Sequence, residues 1–475
     1  MFKTIVKKEV QNNISSFKFF VIFLFLIILI PLTFFFLSID YSKKADEYSQ
    51  RQIEIENFLK NYAHFNRIGA ILNPFQPPIP FHSMIRGISE DINLEFFDND
   101  PIPIVFPLID FTFIVSIFLS LAALILSYDS ISGEREDLTL SSALSNSISR
   151  SRLILGKIAG GIITLLIPFF VSLLIGLLII SFNSKFNFNV SDWISFLIII
   201  IGAIIYISIF YCIGIFISSK HRFSSSSILT SLFFWVLFVF IIPNISPYIT
   251  SFIMKMPSYI KVQRETSRIT DVERDELGRK LWRKKEAQLY KKYPFLKETP
   301  LEKDRKERAK TDLAFRKAME EYTNEWQKAW EEANRIQNEK ADKIWRQFGK
   351  KQDSQIIISG IISLLSPLSN FTYLASDLSS TGIRNMIHFA RIGKNWAERF
   401  REYAMKKVSE FQKNHPAEDP WNTFIDMSDR PKFSYNQEEL KGRLLWCLPF
   451  FSILIIFLLI FFISSYISFI KYDVR

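Results

Sequence analysis

Cysteine is nearly absent. Cys212 and Cys447 are the two in the chain, and both sit inside apolar runs, where a thiol behaves as a small hydrophobe. No disulfide framework follows from them. The motifs by which a chain binds nucleotide or metal for itself are missing too. There is no GxxxxGK[ST] phosphate loop, because Gly156-Lys157 has neither the upstream glycine nor a hydroxyl residue after it. No HExxH occurs, and histidines 64, 82, 221, 388 and 415 are too scattered in sequence to make a zinc site. No GxSxG nucleophile turn is present. These absences argue against an enzyme, and no cofactor-binding or metal residue is assigned.

What the chain does have is apolar surface and charge in quantity. Of 475 residues, 49% are hydrophobic and 48 are Phe, while 22% are charged. That mixture is too apolar for an ordinary soluble domain and too charged for a pure membrane bundle, so the two must be segregated along the sequence. They are: the uninterrupted apolar runs lie in residues 19–247 and 444–470, and residues 251–443 carry most of the charge. Lys and Arg number 58 against 47 acids, but no zinc-finger spacing or RNA-recognition signature accompanies them, so no nucleic-acid partner is expected.

A bilayer core of about 30 Å takes about 20 apolar residues as a helix. Six segments qualify: 19–39, 106–127, 158–182, 193–218, 228–249 and 444–470. The expected fold is an all-α polytopic membrane protein with six transmembrane helices and a large helical, hairpin-like extracytoplasmic insert. An even count puts both ends on one side. Lys3, Lys7, Lys8 and Lys18 before the first span, Arg135, Arg150, Arg152 and Lys157 between the second and third, and Lys220 and Arg222 after the fourth all fall on one face. The excess of basic residues in short loops makes that face cytoplasmic. Residues 40–105 and 250–443 are then outside, and 471–475 form a cytoplasmic tail.

Within residues 1–18, Phe2, Ile5, Val6, Val10, Ile14 and Phe17 follow helical spacing with lysines opposite, which suits a helix lying in the membrane interface. The run 356–365 is apolar but half the length needed to cross, so it is expected to rest against the outer membrane surface or the bundle. Asp110, near the outer end of the second span, is the clear intramembrane carboxylate. Such a group is a functional candidate, weighed against a boundary role in contact with interfacial water.

The insert reads as helical. Thr299, Pro300 and Glu302 supply a helix start. Phe315, Met319, Tyr322, Trp326, Trp330, Ala333, Ile336, Ile344 and Phe348 then recur largely in steps of three and four, which makes a coiled-coil-like seam. Its antiparallel partner is the stretch with Ile269, Val272, Leu281, Trp282 and Leu289. A third amphipathic helix, with Trp396, Phe400, Tyr403, Val408 and Phe411, is expected to pack nearby. Residues 58–82, with prolines 74, 77, 78 and 80, read as loop-like, and residues 40–105 are expected to join the same domain.

Between the second and third spans lies SYDSISGEREDLTLSSALSNSISRSRLILGK, residues 127–157. Glu134, Glu136 and Asp137 are followed by Leu138, Leu140 and Leu144 and then by basic residues. Charge beside an exposed apolar edge suits docking of a soluble protein, and some 30 residues is more than a connector requires. This stretch resembles the signature of ABC-2 type permeases, through Glu134, Arg135, Glu136, Thr139, Leu140, Ser149, Arg150, Gly156 and Lys157. The family usually has glycine before the threonine and proline before the Ser-Arg pair, where this chain has Leu138 and Ile148. SPLSNFTYLASDLSSTG, residues 366–382, is similar to the segment before the last span in the subgroup with a large extracytoplasmic insertion.

The resemblance implies a permease, expected to be an exporter subunit of a bacterial plasma membrane. It implies a separate ATP-binding cassette subunit that holds ATP and magnesium, and a second permease chain, copy or paralogue. Residues 128–157 would be the coupling element, with Glu134, Arg135, Glu136, Leu138, Thr139, Leu140 and Arg150 as the contacts, and the N-terminal helix would be the connecting helix. The rival is a scaffold or sensor that does not transport and binds an envelope protein through its hairpin.

Overall fold

The computed structural model describes residues 2–62, 74–87, 109–140, 149–298, 308, 312–415 and 426–471. Among them the regular structure is helical throughout. In chain order the helices are α1 (Phe2–Ile14), α2 (Phe17–Tyr62), α3 (111–127), α4 (Ser132–Glu136), α5 (Arg150–Ser181), α6 (Val190–Lys220), α7 (Ser224–Ile253), α8 (259–292), α9 (Phe295–Glu298), α10 (Leu313–Ser363), α11 (Pro367–Leu378), α12 (Ile383–Asn414) and α13 (Leu440–Ile470). Helices α2, α3, α5, α6, α7 and α13 are long and apolar enough to cross a membrane. The chain forms two compact units, residues 1–243 with 363–475, and residues 244–362.

In the first unit α6 is the central helix, with Tyr206, Phe210 and Tyr211 fully buried. It starts at a capping box in which the Asn189 and Asp192 side chains each bond the other's backbone. Helices α3, α5, α11 and α13 pack around it. The outer faces of the peripheral helices keep Phe20, Leu24, Ile28 and Leu32 of α2 and Ile456, Leu459 and Ile463 of α13 exposed, as lipid-facing surfaces do. The α3 backbone makes a π-helical stretch over Ile114–Leu119, and the Tyr206 hydroxyl donates to the Ser116 carbonyl there at 2.7 Å.

Helix α2 does not end with its apolar part. It continues to Tyr62, for 46 residues and about 70 Å. Ile55 on this extension packs into the cluster of Trp396, Phe400, Val408 and Met427, and Arg430 pairs with Glu56 at 2.8 Å. The third amphipathic helix therefore belongs to this first unit, where α2 and the segment after residue 425 cover its apolar stripe. Residues 58–82 were expected to be loop-like, and the first five of them are the end of α2.

The run 356–365 is the end of α10 as far as Ser363, with Ile356, Ile357, Ile361 and Leu365 exposed. Helix α11 is buried between α6 and α13, with Phe371 stacked on Tyr206 at 5.2 Å between ring centroids. Twelve residues suffice because its start is satisfied inside protein. Ser366 accepts from the N–H groups of Leu368 and Ser369 and donates to the Phe238 carbonyl, and Pro367 needs no partner. Non-helical backbone is tolerated at such depth only where protein encloses it. At the same end as Asp192, buried Arg443 donates to the Leu378 carbonyl at 2.8 Å and to Ser380 Oγ at 3.0 Å.

The second unit is an antiparallel hairpin of α8 and α10. Tyr259 meets Trp345, Lys340 pairs with Glu273 at 2.6 Å, Trp282 meets Tyr322, Lys285 pairs with Glu325 at 3.0 Å, and Phe295 meets Phe315. The expected start at Thr299, Pro300 and Glu302 lies outside the described residues. Asp312 caps α10, accepting from the N–H groups of Ala314 and Phe315. The seam differs from the expected one. Phe315 and Ala333 are buried as expected, and Ala329, Gln337 and Ala341 are buried with them, whereas Trp326 is 44% and Ile336 38% exposed. Successive steps of four rotate the contact line by about 40° each, and this carries Ile336 off it.

Charge pairs along the hairpin set its response to acid. The Lys340 ammonium beside Glu273, Lys292 beside Glu321 and Lys328 beside Glu325 hold these carboxyls below the usual range. Their contribution is complete above the unfolded carboxylate pKa and is lost as pH falls through the depressed folded values. Hydrogen-exchange protection of residues 313–340 in the full-length protein, corrected for intrinsic rates, is expected to fall below about pH 4.5. The fall should be smaller in high salt. Protection equal at pH 6 and pH 3.5 in low salt would contradict this.

Candidate functional site: the polar end of the bundle

Six helix ends meet on one face of the first unit. Lys18, at the start of α2, pairs with Asp129 after α3, and its ammonium lies 4.3 Å from the Tyr128 ring centroid. Ser218 Oγ, near the end of α6, accepts from the N–H groups of Ile131 and Ser132, each at 3.0 Å. Ser227 of α7 donates to the Tyr128 carbonyl at 2.6 Å. Arg150 of α5 donates to the carbonyl of Ile470, the last residue of α13, at 2.9 Å, and Ser219 donates to Ser468 Oγ at 2.7 Å. Short hydroxyl side chains thus serve the backbone groups that helix ends leave unsatisfied. Helix α1 and the end of α13 approach this face.

At the centre of the face is Lys157, only 2% exposed. Its ammonium lies 2.7 Å from Glu134 Oε1 of α4 and 3.3 Å from Glu9 Oε2 of α1. Two glycines on α5 let α1 come this close. A Cβ on Gly156 would stand 2.5 Å from Ile5 Cγ2, and one on Gly160 would stand 2.7 Å from Glu9 Cβ. A buried cation is held by two carboxylates from two other elements, so α1, α4 and α5 are tied at one point.

The structure disperses the other sequence-predicted residues around this point. Thr139 Oγ1 donates to the Glu134 carbonyl at 3.2 Å and closes the turn after α4. Glu136 turns the other way, accepting from the Ser224 N–H at 3.2 Å and its hydroxyl at 2.6 Å. A carboxylate at the start of α7 is favoured by the helix dipole there. Arg135 is half-buried on α4, and Arg150 reaches the end of α13 instead of joining the cluster. Leu140 is buried, whereas Leu138 is 75% exposed with φ +56°. That left-handed backbone favours glycine and costs leucine about 1 kcal/mol. It stands where the family's glycine was expected, so the turn is kept and an apolar side chain is set on its outside. Leu144 lies outside the described residues.

Asp110, the candidate carboxylate of the second span, is the cap of α3. It lies at the opposite end and immediately precedes α3, where Oδ1 accepts from the Phe113 N–H at 2.7 Å and Oδ2 from the Arg86 N–H at 3.2 Å. Its charge is spent on backbone donors at a helix start. Sequence reasoning passed over Glu9, Asp129, Ser218 and Ser224 as members of the site. Glu9 carried a signal, being the single acid among the first 18 residues. No side-chain group of three or more metal-ligand residues occurs among the described residues.

The first unit thus brings the ends of six long apolar helices, with α1 and α4, together on one polar face. The sequence matches the family model described as "ABC-2 family transporter protein" over residues 3–474. The chain belongs to the ABC-2 transporter family and is a membrane permease subunit of an ABC transporter. No curated protein matches it.

Proposed function

We propose that this permease is driven by a separate ATP-binding subunit seated on α4 and the turn after it, and that it works as an exporter in a bacterial plasma membrane with both termini cytoplasmic. The observation that carries this is Leu138, an exposed apolar side chain held on a strained turn beside Glu136 and Asp137. Strain of this kind persists where a site requires it. A push on α4 has three routes into the spans: Glu134 to Lys157 of α5, Ser132 to Ser218 of α6, and Glu136 to Ser224 of α7. ATP and magnesium belong to the partner, whose closure supplies the push. A second permease chain faces the second ATPase, and an envelope protein at the hairpin completes the proposed set of partners.

The test uses the burial of both native thiols, Cys212 and Cys447. A Leu138→Cys variant should react with a membrane-impermeant maleimide in inverted vesicles but not in intact spheroplasts, and addition of the ATPase should protect it. Labelling from the outside, or no protection, would sink the proposal.

A further inference from the structure

Along most of the hairpin the two arms satisfy one another's polar groups, as in Lys340 with Glu273, Lys285 with Glu325, Lys292 with Glu321 and Tyr322 with Glu286. One stretch does not. Tyr259, Gln263, Thr266, Ser267 and Thr270 of α8 face Asn338, Ala341, Asp342 and Trp345 of α10 across a groove of about 320 Å³. The side chains of Gln263, Ser267, Asn338 and Asp342 have no protein partner among the described residues. The hydroxyl protons of Thr266 and Thr270 go to backbone carbonyls one turn back, so their oxygens remain available as acceptors. A π-helical stretch, Ile269–Glu273, begins inside this groove, and such bulges are frequent at functional sites.

The chemistry of the lining selects among ligands. No Lys, Arg or His lines the groove, which disfavours an anion. Two amides, each both donor and acceptor, with hydroxyl oxygens and one carboxylate, suit a molecule that offers many hydroxyls. Trp345 and Tyr259 stand at one end with ring centroids 5.4 Å apart, and Tyr259 is 58% exposed, more than helix packing would leave. Aromatic faces of this kind cover the apolar C–H face of a sugar ring while the amides take its hydroxyls. We propose that this groove binds a short neutral saccharide, stacked on Trp345 and Tyr259 and hydrogen-bonded by Gln263, Asn338 and Asp342. The site lies wholly within the second unit and does not depend on the ATPase reading.

The test is saturation-transfer NMR on the full-length permease in nanodiscs of sugar-free lipid, with maltotriose and tri-N-acetylchitotriose as probes. Transfer to ring C–H protons of at least one probe is expected, absent in Trp345→Ala and about tenfold weaker in affinity in Asn338→Ala and Gln263→Ala, each of which loses about one hydrogen bond. The last two side chains are exposed and structurally uncommitted, so these variants fold even if Trp345→Ala does not. No transfer to either probe, transfer unchanged in both amide variants, or equal competition by trilysine would overturn the proposal.

Discussion

Lys157→Met is expected to lower the stability of the permease by about 3 kcal/mol. The substitution preserves length and apolar volume but leaves Glu9 and Glu134 facing a site with no cation. Breaking a buried pair from one side costs about 3–5 kcal/mol, because the remaining charge has no water to return to. The lower end applies here, since Glu134 keeps 35% of its side-chain exposure and can be partly rehydrated. Glu9 is more enclosed, at 13%. Equilibrium unfolding in mixed micelles measures the loss. The triple variant Glu9→Gln, Glu134→Gln, Lys157→Met should recover most of it, since neutral groups no longer repel. A single variant as stable as the native chain, or a triple variant no better than the single, would show that the cluster does not tie α1 and α4 to α5.

Leu138→Gly is expected to act on stability and on coupling in opposite ways. Glycine adopts φ +56° without the steric cost leucine bears there, so stability should stay level or rise by up to about 1 kcal/mol. The leucine side chain is 75% exposed, so its removal costs little apolar burial. If the side chain is buried in a groove of the ATPase, its loss should cost about 1.5–3 kcal/mol of association, or at least tenfold in affinity. Titration of the purified ATPase onto the reconstituted permease, followed by its hydrolysis rate, measures this. Unchanged affinity with unchanged hydrolysis would place the coupling contact elsewhere.

Much of the membrane half was legible because a bilayer imposes a simple rule on composition. Helices α2, α3, α5, α6, α7 and α13 coincide with the six apolar runs, since nothing else of that length and polarity can satisfy its backbone in lipid. The hairpin was legible through the aromatic spacing of α10, and its seam only in part. Periodicity reports which residues are apolar and does not report how two helices wind, so Phe315 and Ala333 of the expected seam are buried while Ala329 and Ala341 take the places expected for Trp326 and Ile336. The helix over residues 40–62 was not legible because its order comes from tertiary partners, Ile55 against Trp396 and Phe400, and Glu56 against Arg430. Helix α11 escaped prediction for a related reason: Ser366 and Pro367 mark a helix start, but only Phe371 on Tyr206 shows that the start lies inside protein.

The candidate site divides in the same way. The motif residues Glu134, Thr139 and Lys157 do come together, yet their centre is a lysine whose second partner, Glu9, lies 148 residues earlier in the chain. Glu136 stands beside them in sequence but serves a different helix, because neighbours on a one-turn helix point apart. Family resemblance supplied the glycine position at 138. The backbone angle there shows that leucine at this place is set on an exposed, left-handed turn.

The most direct test of the coupling reading is a photo-crosslinking amino acid at position 138 in the native host, activated in intact cells, with identification of the captured protein. Capture of a phosphate-loop ATPase, strengthened when ATP turnover is blocked, is the predicted result. Capture of an envelope protein, or of no protein while a thiol at the same position is reached from the cytoplasm, would contradict it and move the functional end of the molecule to the hairpin.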